Sequence, residues 1–253
     1  MESLLVILLL KLCCCVMAVD PVNKIADKPL FRDPLYDDAA DPTVIWNSKE
    51  NKWFMFYTNR RANSGLTGGV EGVHGTRIGI AESTGGGATW RMYYNNEVDG
   101  KSIYYADSPD LYRWTDSGKK AVGDKAGEGP NVFGWKGKYW MVVDNWNGCG
   151  IYSSGDMVNW DRQEKNILQE PGKGPDDGVI GAHPCVIISS DRAFIFYFTH
   201  PGRIPGNRQA DPYQNRRSSI QVAEMEFRDG QIVCDRDKPM DITMKPGVDL
   251  KGW

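Results

Sequence analysis

Cysteine is scarce here and poorly spaced for chemistry. Of six cysteines in 253 residues, three stand together as Cys13, Cys14 and Cys15. The others, Cys149, Cys185 and Cys234, lie far apart with no CxxC pair. That spacing excludes a clustered zinc site and a dense disulfide framework. An excess of one charge is lacking too: 30 Lys and Arg against 33 Asp and Glu leave a net charge of −3. No polyanionic partner is indicated, and basic residues do not cluster with aromatics as a nucleic-acid binder requires. There is no GxSxG elbow, no phosphate-cradling P-loop, no dinucleotide GxGxxG and no HExxH, so those nucleophile, nucleotide and zinc chemistries are excluded. The longest apolar run, in MESLLVILLLKLCCCVMAVD, is too short to span a bilayer, which takes about 20 apolar residues. With small Ala18 closing Val16-Met17-Ala18, it reads as a secretory signal over residues 1–18, leaving a single domain over 19–253. The protein is therefore expected to be secreted or periplasmic, with no membrane contact beyond that segment.

What the chain has in plenty is aromatic residues, glycine and proline: 11% aromatics with nine Trp, beside 28 Gly and 14 Pro. Those proportions predict short strands joined by tight turns, not helices. The strands repeat. DPTVIWNSKENKWFMFYT from Asp41, GPNVFGWKGKYWMVVD from Gly129 and HPCVIISSDRAFIFYFT from His183 each join a Pro-led strand to an aromatic strand by a polar turn. Proline tolerates the first position of a strand, so each copy marks a strand entrance. Repeats of about 40 residues with four short strands predict propeller blades. The turns ending in Trp90, Trp114 and Trp160 are expected to place those indoles between blades. One copy, RMYYNNEVDGKSIYYADSPDLYRWT, lacks a Pro-led strand and abuts the Trp turn of the first blade. It predicts three blades plus a partial one, an open propeller with Arg91-Met92-Tyr93 in a middle strand.

The stretches AADPTVIWNSKENKWFMFYTNRR, HGTRIGIAES, YYADSPDLYRWT, EGPNVF and FIFYFTHPGR together resemble a family 43-type glycoside hydrolase, from Pro29 to about Asp235. The resemblance implies a five-bladed β-propeller that is all-β, secreted, and acts on glycans by an inverting acid/base mechanism. It assigns the general base to Asp41 and the general acid to Glu128. It also implies a third Asp, tuning the acid's pKa, on the first strand of a third blade; that strand and the second blade are absent here. Chemically the pair makes sense, since hydrolysis needs one carboxyl to protonate the leaving group and another to activate water. The plainer reading is that each carboxylate caps a turn.

Other candidates surround this pair. His183 opens the last Pro-led strand, in a position to contact substrate or to help hold a central cation or water. It equally suits a plain hydrogen-bonding role, and no other cofactor is expected. Asp176 and Asp177, just before that strand, are candidates to replace the missing tuning carboxylate, or simply form a turn. The long loop from Asn59 to Arg77 carries Arg60, Arg61 and His74, suited to sugar hydroxyls or a uronic carboxylate, or to solvation alone. Trp146 suits stacking on a sugar face or ordinary packing. The expected partner is a carbohydrate, of unspecified sugar and linkage, and the oligomeric state is open. The alternative function is a non-catalytic carbohydrate-binding or inactive truncated propeller. A third carboxylate beside Glu128 would favour the hydrolase.

Overall fold

The computed structural model describes residues 25–34, 37, 39–47, 52–59, 90–109, 113–208 and 212–244. The expected signal segment and the loop residues Arg60, Arg61 and His74 lie outside them. The described chain is nearly all-β, in four small antiparallel sheets. The first pairs β1 (Ala39–Asn47) with β2 (Lys52–Asn59), and the second orders β3 (Trp90–Asn96), β4 (Ser102–Ser108) and β5 (Thr115–Val122). The third orders β6 (Glu128–Trp135), β7 (Lys138–Asp144), β8 (Cys149–Ser154) and β9 (Asp161–Arg162). The fourth begins with β10 (Ala182–Ser189) and β11 (Arg192–Thr199). A small ribbon, β12 (Arg203–Ile204) with β13 (Asn207–Arg208), and a short helix α1 (Pro212–Arg216) intervene. Then β14 (Ser219–Arg228) and β15 (Gln231–Cys234) complete that sheet.

The polar turns do what their residue types predict. Lys136-Gly137 joins β6 to β7, with φ of 52° and 75°, and Asp229-Gly230 joins β14 to β15, with φ of 50° and 80°. Two successive positive φ values match the right-handed strand twist of a tight hairpin, and glycine reaches them without a Cβ clash.

Alternation along the middle strands sets the order of the sheets. In β7, Trp140 and Val142 point towards the fourth sheet, where they pack with Ile195 and Met225. Met141 and Val143 point the other way, onto Ile103 and Val122 of the second sheet. In β11, Ile195 and Tyr197 face the third sheet, while Phe194 and Phe196 face Val44 of the first. A strand buried on both faces reads as a continuous apolar run, which is why WMVV and FIFYF show no polar alternation. The sheets therefore stack as second, third, fourth, first. Among the described residues no hydrophobic cluster joins the first sheet to the second.

Two expectations are corrected. β3 was expected as a middle strand, but among the described residues it is an edge strand paired only to β4, lying against β6. Trp160 does pack between sheets, edge-on to Tyr93 at 5.8 Å, whereas Trp114 is 37% exposed. Its turn leads into β5, whose polar sequence TDSGKKAV is mostly exposed.

Candidate active site

The three Pro-led strands share one backbone device. In β1, β6 and β10 the register slips by one residue, between Ala40 and Thr43, Glu128 and Asn131, and Ala182 and Cys185. Each slip is a β-bulge, and in each the residue before proline has a positive φ: Asp41 at 50°, Gly129 at 57° and His183 at 41°. Such a bulge bends its strand and re-aims side chains, and it recurs beside active sites. Non-glycine residues with positive φ are uncommon, with Asp and His enriched among them. The three strands are stitched together beside the bulges. Val186 N donates to Asn131 Oδ1 at 3.0 Å, and Val44 N donates to Cys185 Sγ at 3.4 Å. Between them lies a cavity of about 180 Å³ lined by Asp41, Gly129, Asn131 and His183 with the three prolines.

The bulges also revise the repeat. Asp41, Gly129 and His183 are equivalent, and Glu128 sits one position earlier, level with Ala40 and Ala182. Glu128 nevertheless reaches the same centre. His183 lies between the two carboxylates, Nδ1 at 3.1 Å from Asp41 Oδ1 and Nε2 at 2.8 Å from Glu128 Oε1. Those contacts and the width of an imidazole ring (about 2.2 Å between nitrogens) hold the two carboxylate oxygens within about 8 Å. Inverting glycosidases space their pair at about 6.5–9.5 Å. Gly129 makes room for this arrangement, because a Cβ there would stand 3.1 Å from His183 Nδ1.

Electrostatics divide the charges clearly. The hydrogen bond from His183 takes the Glu128 carboxyl down to about 2 against the penalty of burial, helped by the Trp146 indole and by Lys101. Burial alone would lower the His183 pKa. The hydrogen bond to Glu128 and the charges of Asp41, Asp144 and Glu128 outweigh it, and the net shift is upward. Both shifts favour the ion pair of imidazolium and carboxylate over the neutral pair. Glu128 is expected as the general acid; in the unliganded chain a protonated imidazole 2.8 Å away favours its ionised form.

The structure supplies a third carboxylate that the sequence reading missed. Asp144 closes β7 directly opposite Glu128, is 1% exposed, and has its pKa raised by burial. The signal was an Asp ending an otherwise apolar strand, with a role set by cross-strand pairing that spacing alone does not show. Asp177, expected near His183, is elsewhere. It is fully buried and paired with Arg236, with Tyr197 Oη 3.1 Å from its Oδ2. Asp176 pairs with Arg217 at 2.8 Å. Neither takes the place of a tuning carboxylate. Trp146 is 44% exposed, its Nε1 3.1 Å from Glu128 Oε1 and its ring 5.2 Å from Lys101 Nζ, so it presents a face at the edge of the site.

A cation near His183 fits these donors poorly. Glu128, Asp144 and His183 do offer atoms within 4.8 Å of one another. Yet both His183 nitrogens face carboxylates and both Asp144 oxygens accept backbone N–H groups, so a metal would have to displace bonds already made.

No family model matches the chain, and no curated protein matches it. Among solved structures it is similar to a thermostable family-43 glycoside hydrolase, 16% identical over 88% of this chain and 64% of that one, with a TM-score of 0.41. It is also similar to an endo-1,4-beta-xylanase from Bacteroides thetaiotaomicron, 14% identical over 79% of this chain and 76% of that one, TM-score 0.45. A xylan beta-1,4-xylosidase from Bacillus halodurans is 9% identical over 87% and 60%, TM-score 0.43. The chain spans less than two thirds of the first and third of these.

Proposed function

We propose that the protein is a secreted glycoside hydrolase on an open, family 43-type β-propeller, cleaving poly- or oligosaccharides by inversion. The observation that supports this reading is the convergence of Asp41 and Glu128 on His183, from bulges at equivalent points of separate strands. In the proposed mechanism Asp41 is the base that activates water. The acid is the His183–Glu128 pair acting as one unit, since a proton shared across a 2.8 Å bond titrates with the pair and not with either member. As the glycosidic oxygen approaches, the pair delivers this proton to the leaving group while Asp41 accepts one from water, so charge in the centre is conserved. Trp146 offers its exposed face to a sugar ring. Hydrolysis of a panel of aryl glycosides by the unaltered chain, beside Asp41→Asn and Glu128→Gln, tests this. Turnover lost in both variants supports the reading, and turnover kept in either ends it.

A second reading has its own support. An ionised Glu128, bonded to His183 and Trp146 and 3.7 Å from Lys101, also describes a fixed binding wall for sugar hydroxyls, with no hydrolysis. Glycan binding by the unaltered chain without release of any product selects it.

A further inference from the structure

Two residues donate side-chain hydrogen bonds to the same oxygen of Glu128. His183 Nε2 lies 2.8 Å, and Trp146 Nε1 3.1 Å, from Oε1. Both donors have left-handed backbones, with φ of 41° for His183 and 55° for Trp146. For bulky residues that conformation is uncommon and persists only when the surroundings over-determine it. Asp144 is bonded to both main chains. Its Oδ1 accepts Trp146 N at 2.7 Å and its Oδ2 accepts His183 N at 3.0 Å. One buried carboxylate thus holds the main chains of the two residues whose side chains hold Glu128. A loop residue in the third sheet and the bulge of the fourth are tied to one point.

We propose that Asp144 is a positioning residue, clamping the backbones of Trp146 and His183 so that both aim at Glu128. This rests on the hydrolase reading only for its effect on turnover; the clamp itself is a property of the unliganded chain. It acts by geometry and by charge. An Asn at 144 keeps the size but has one acceptor where two backbone N–H groups need one each. It also removes a negative charge that faces His183 beside those of Asp41 and Glu128.

The test uses the full chain and nuclear magnetic resonance. In the unaltered protein the backbone amides of Trp146 and His183 are expected to exchange slowly with deuterium, although Trp146 is 44% exposed. Exchange of both at the rate of open-loop amides overturns the clamp, and this arm needs no variant. In Asp144→Asn the His183 ring is expected to titrate lower by about one unit, and the Trp146 indole N–H resonance to move. An unchanged His183 titration and indole resonance in a variant that melts cooperatively also overturn it. If the hydrolase reading holds, the same variant loses about 10–100-fold in kcat with KM little changed, since preorganisation and not substrate contact is lost. If the unaltered chain hydrolyses no glycoside, the hydrolase reading fails and the exchange and titration arms still decide the clamp.

Discussion

Among the described residues two ionic centres, one sealed and one partly open, are built to opposite ends. Around Asp177 every valence is used. Arg236 binds both carboxylate oxygens and donates to the Glu170 and Val179 carbonyls at 2.9 Å, and Tyr197 closes the remaining side. Asp177 is 0% and Arg236 5% exposed, and a Cβ on Gly172 would strike the carboxylate at 2.7 Å. Around His183 the same groups are left a quarter open, with side-chain exposures of 25% for His183, 24% for Asp41 and 28% for Glu128, beside a cavity. The lesson is that a carboxylate's partner decides its role more than its burial does. Arginine carries its charge at every accessible pH and seals Asp177 as a structural tie. Histidine can give up its proton, so Glu128 and Asp41 are held by a group able to do chemistry.

The sharpest way to break this contrast is to take the arginine away. Among the described residues, Arg236→Met leaves buried Asp177 with only Tyr197 Oη, 3.1 Å away, and Lys28 Nζ, 3.9 Å away, as side-chain partners. Removing one member of such a buried pair costs about 3–5 kcal/mol. In a chain of this size that is a fall of roughly 10 °C in Tm, read by calorimetry. The double variant Arg236→Met, Asp177→Leu is expected to recover most of the loss, because the orphaned charge is gone. A single variant as stable as the parent would mean that Asp177 is as tolerant as the open centre.

The matching changes at the open centre act on function, not on folding. Glu128→Gln and Asp41→Asn are each expected to lower turnover by about 10²–10⁴-fold, the usual worth of a positioned acid or base. Their Tm is expected to move by only a few degrees, since partly exposed pairs contribute little. A large loss of stability with full turnover would reverse the roles assigned to the two centres.

How much of this was legible in the sequence depends on whether a feature is local. The Pro-led motifs are local: Asp41-Pro42, Gly129-Pro130 and His183-Pro184 mark themselves and led to three residues that do meet, although each proline sits at a bulge inside its strand and not at the expected first position. The alignment of Glu128 with Asp41 was one residue out, because a bulge adds a residue that linear spacing does not reveal. Asp177 was judged by its nearness in sequence to His183, yet Arg236, 59 positions on, captures it. Asp144 was invisible for the complementary reason. Its partners, Glu128 across the ladder and His183 in another sheet, come from pairing and stacking that only the folded chain defines.

Acid and base sharpen the comparison next. Glu128 titrates at about 2 in the folded chain, below its ordinary 4.5, so its pairing stabilises above about pH 4.5 and is lost as the pH falls towards 2. His183 is raised above its ordinary 6.5, so its contribution is complete below about pH 6.5 and is lost as the pH rises through the folded value. Both act together between about pH 4.5 and 6.5. Asp144, raised by burial, tilts the acid side the other way, so the useful quantity is a difference. Tm of the parent minus Tm of His183→Asn is expected to peak inside that window, at a few degrees. A difference that does not change with pH would show that folding leaves the titration of the imidazole and its carboxylate partners unshifted by their pairing.

The smallest effect asks whether the bulge itself sets the open centre. Gly129 and Gly137 both have positive φ, 57° and 75°, so alanine at either meets a similar backbone cost of about 1 kcal/mol. Their surroundings differ. At Gly137 a new methyl meets nothing within 4 Å, whereas at Gly129 it stands 3.1 Å from His183 Nδ1, on the side facing Asp41. The neighbour must yield by a few tenths of an ångström, and the ring is less free to yield than a chain end, because its other nitrogen is bonded to Glu128. Gly129→Ala and Gly137→Ala are therefore expected to melt within about 1 kcal/mol of each other. Only Gly129→Ala is expected to shift the His183 ring resonances and its titration. If both variants leave the imidazole unmoved, the bulge does not hold the ring, and the contacts to Asp41 and Glu128 alone place it.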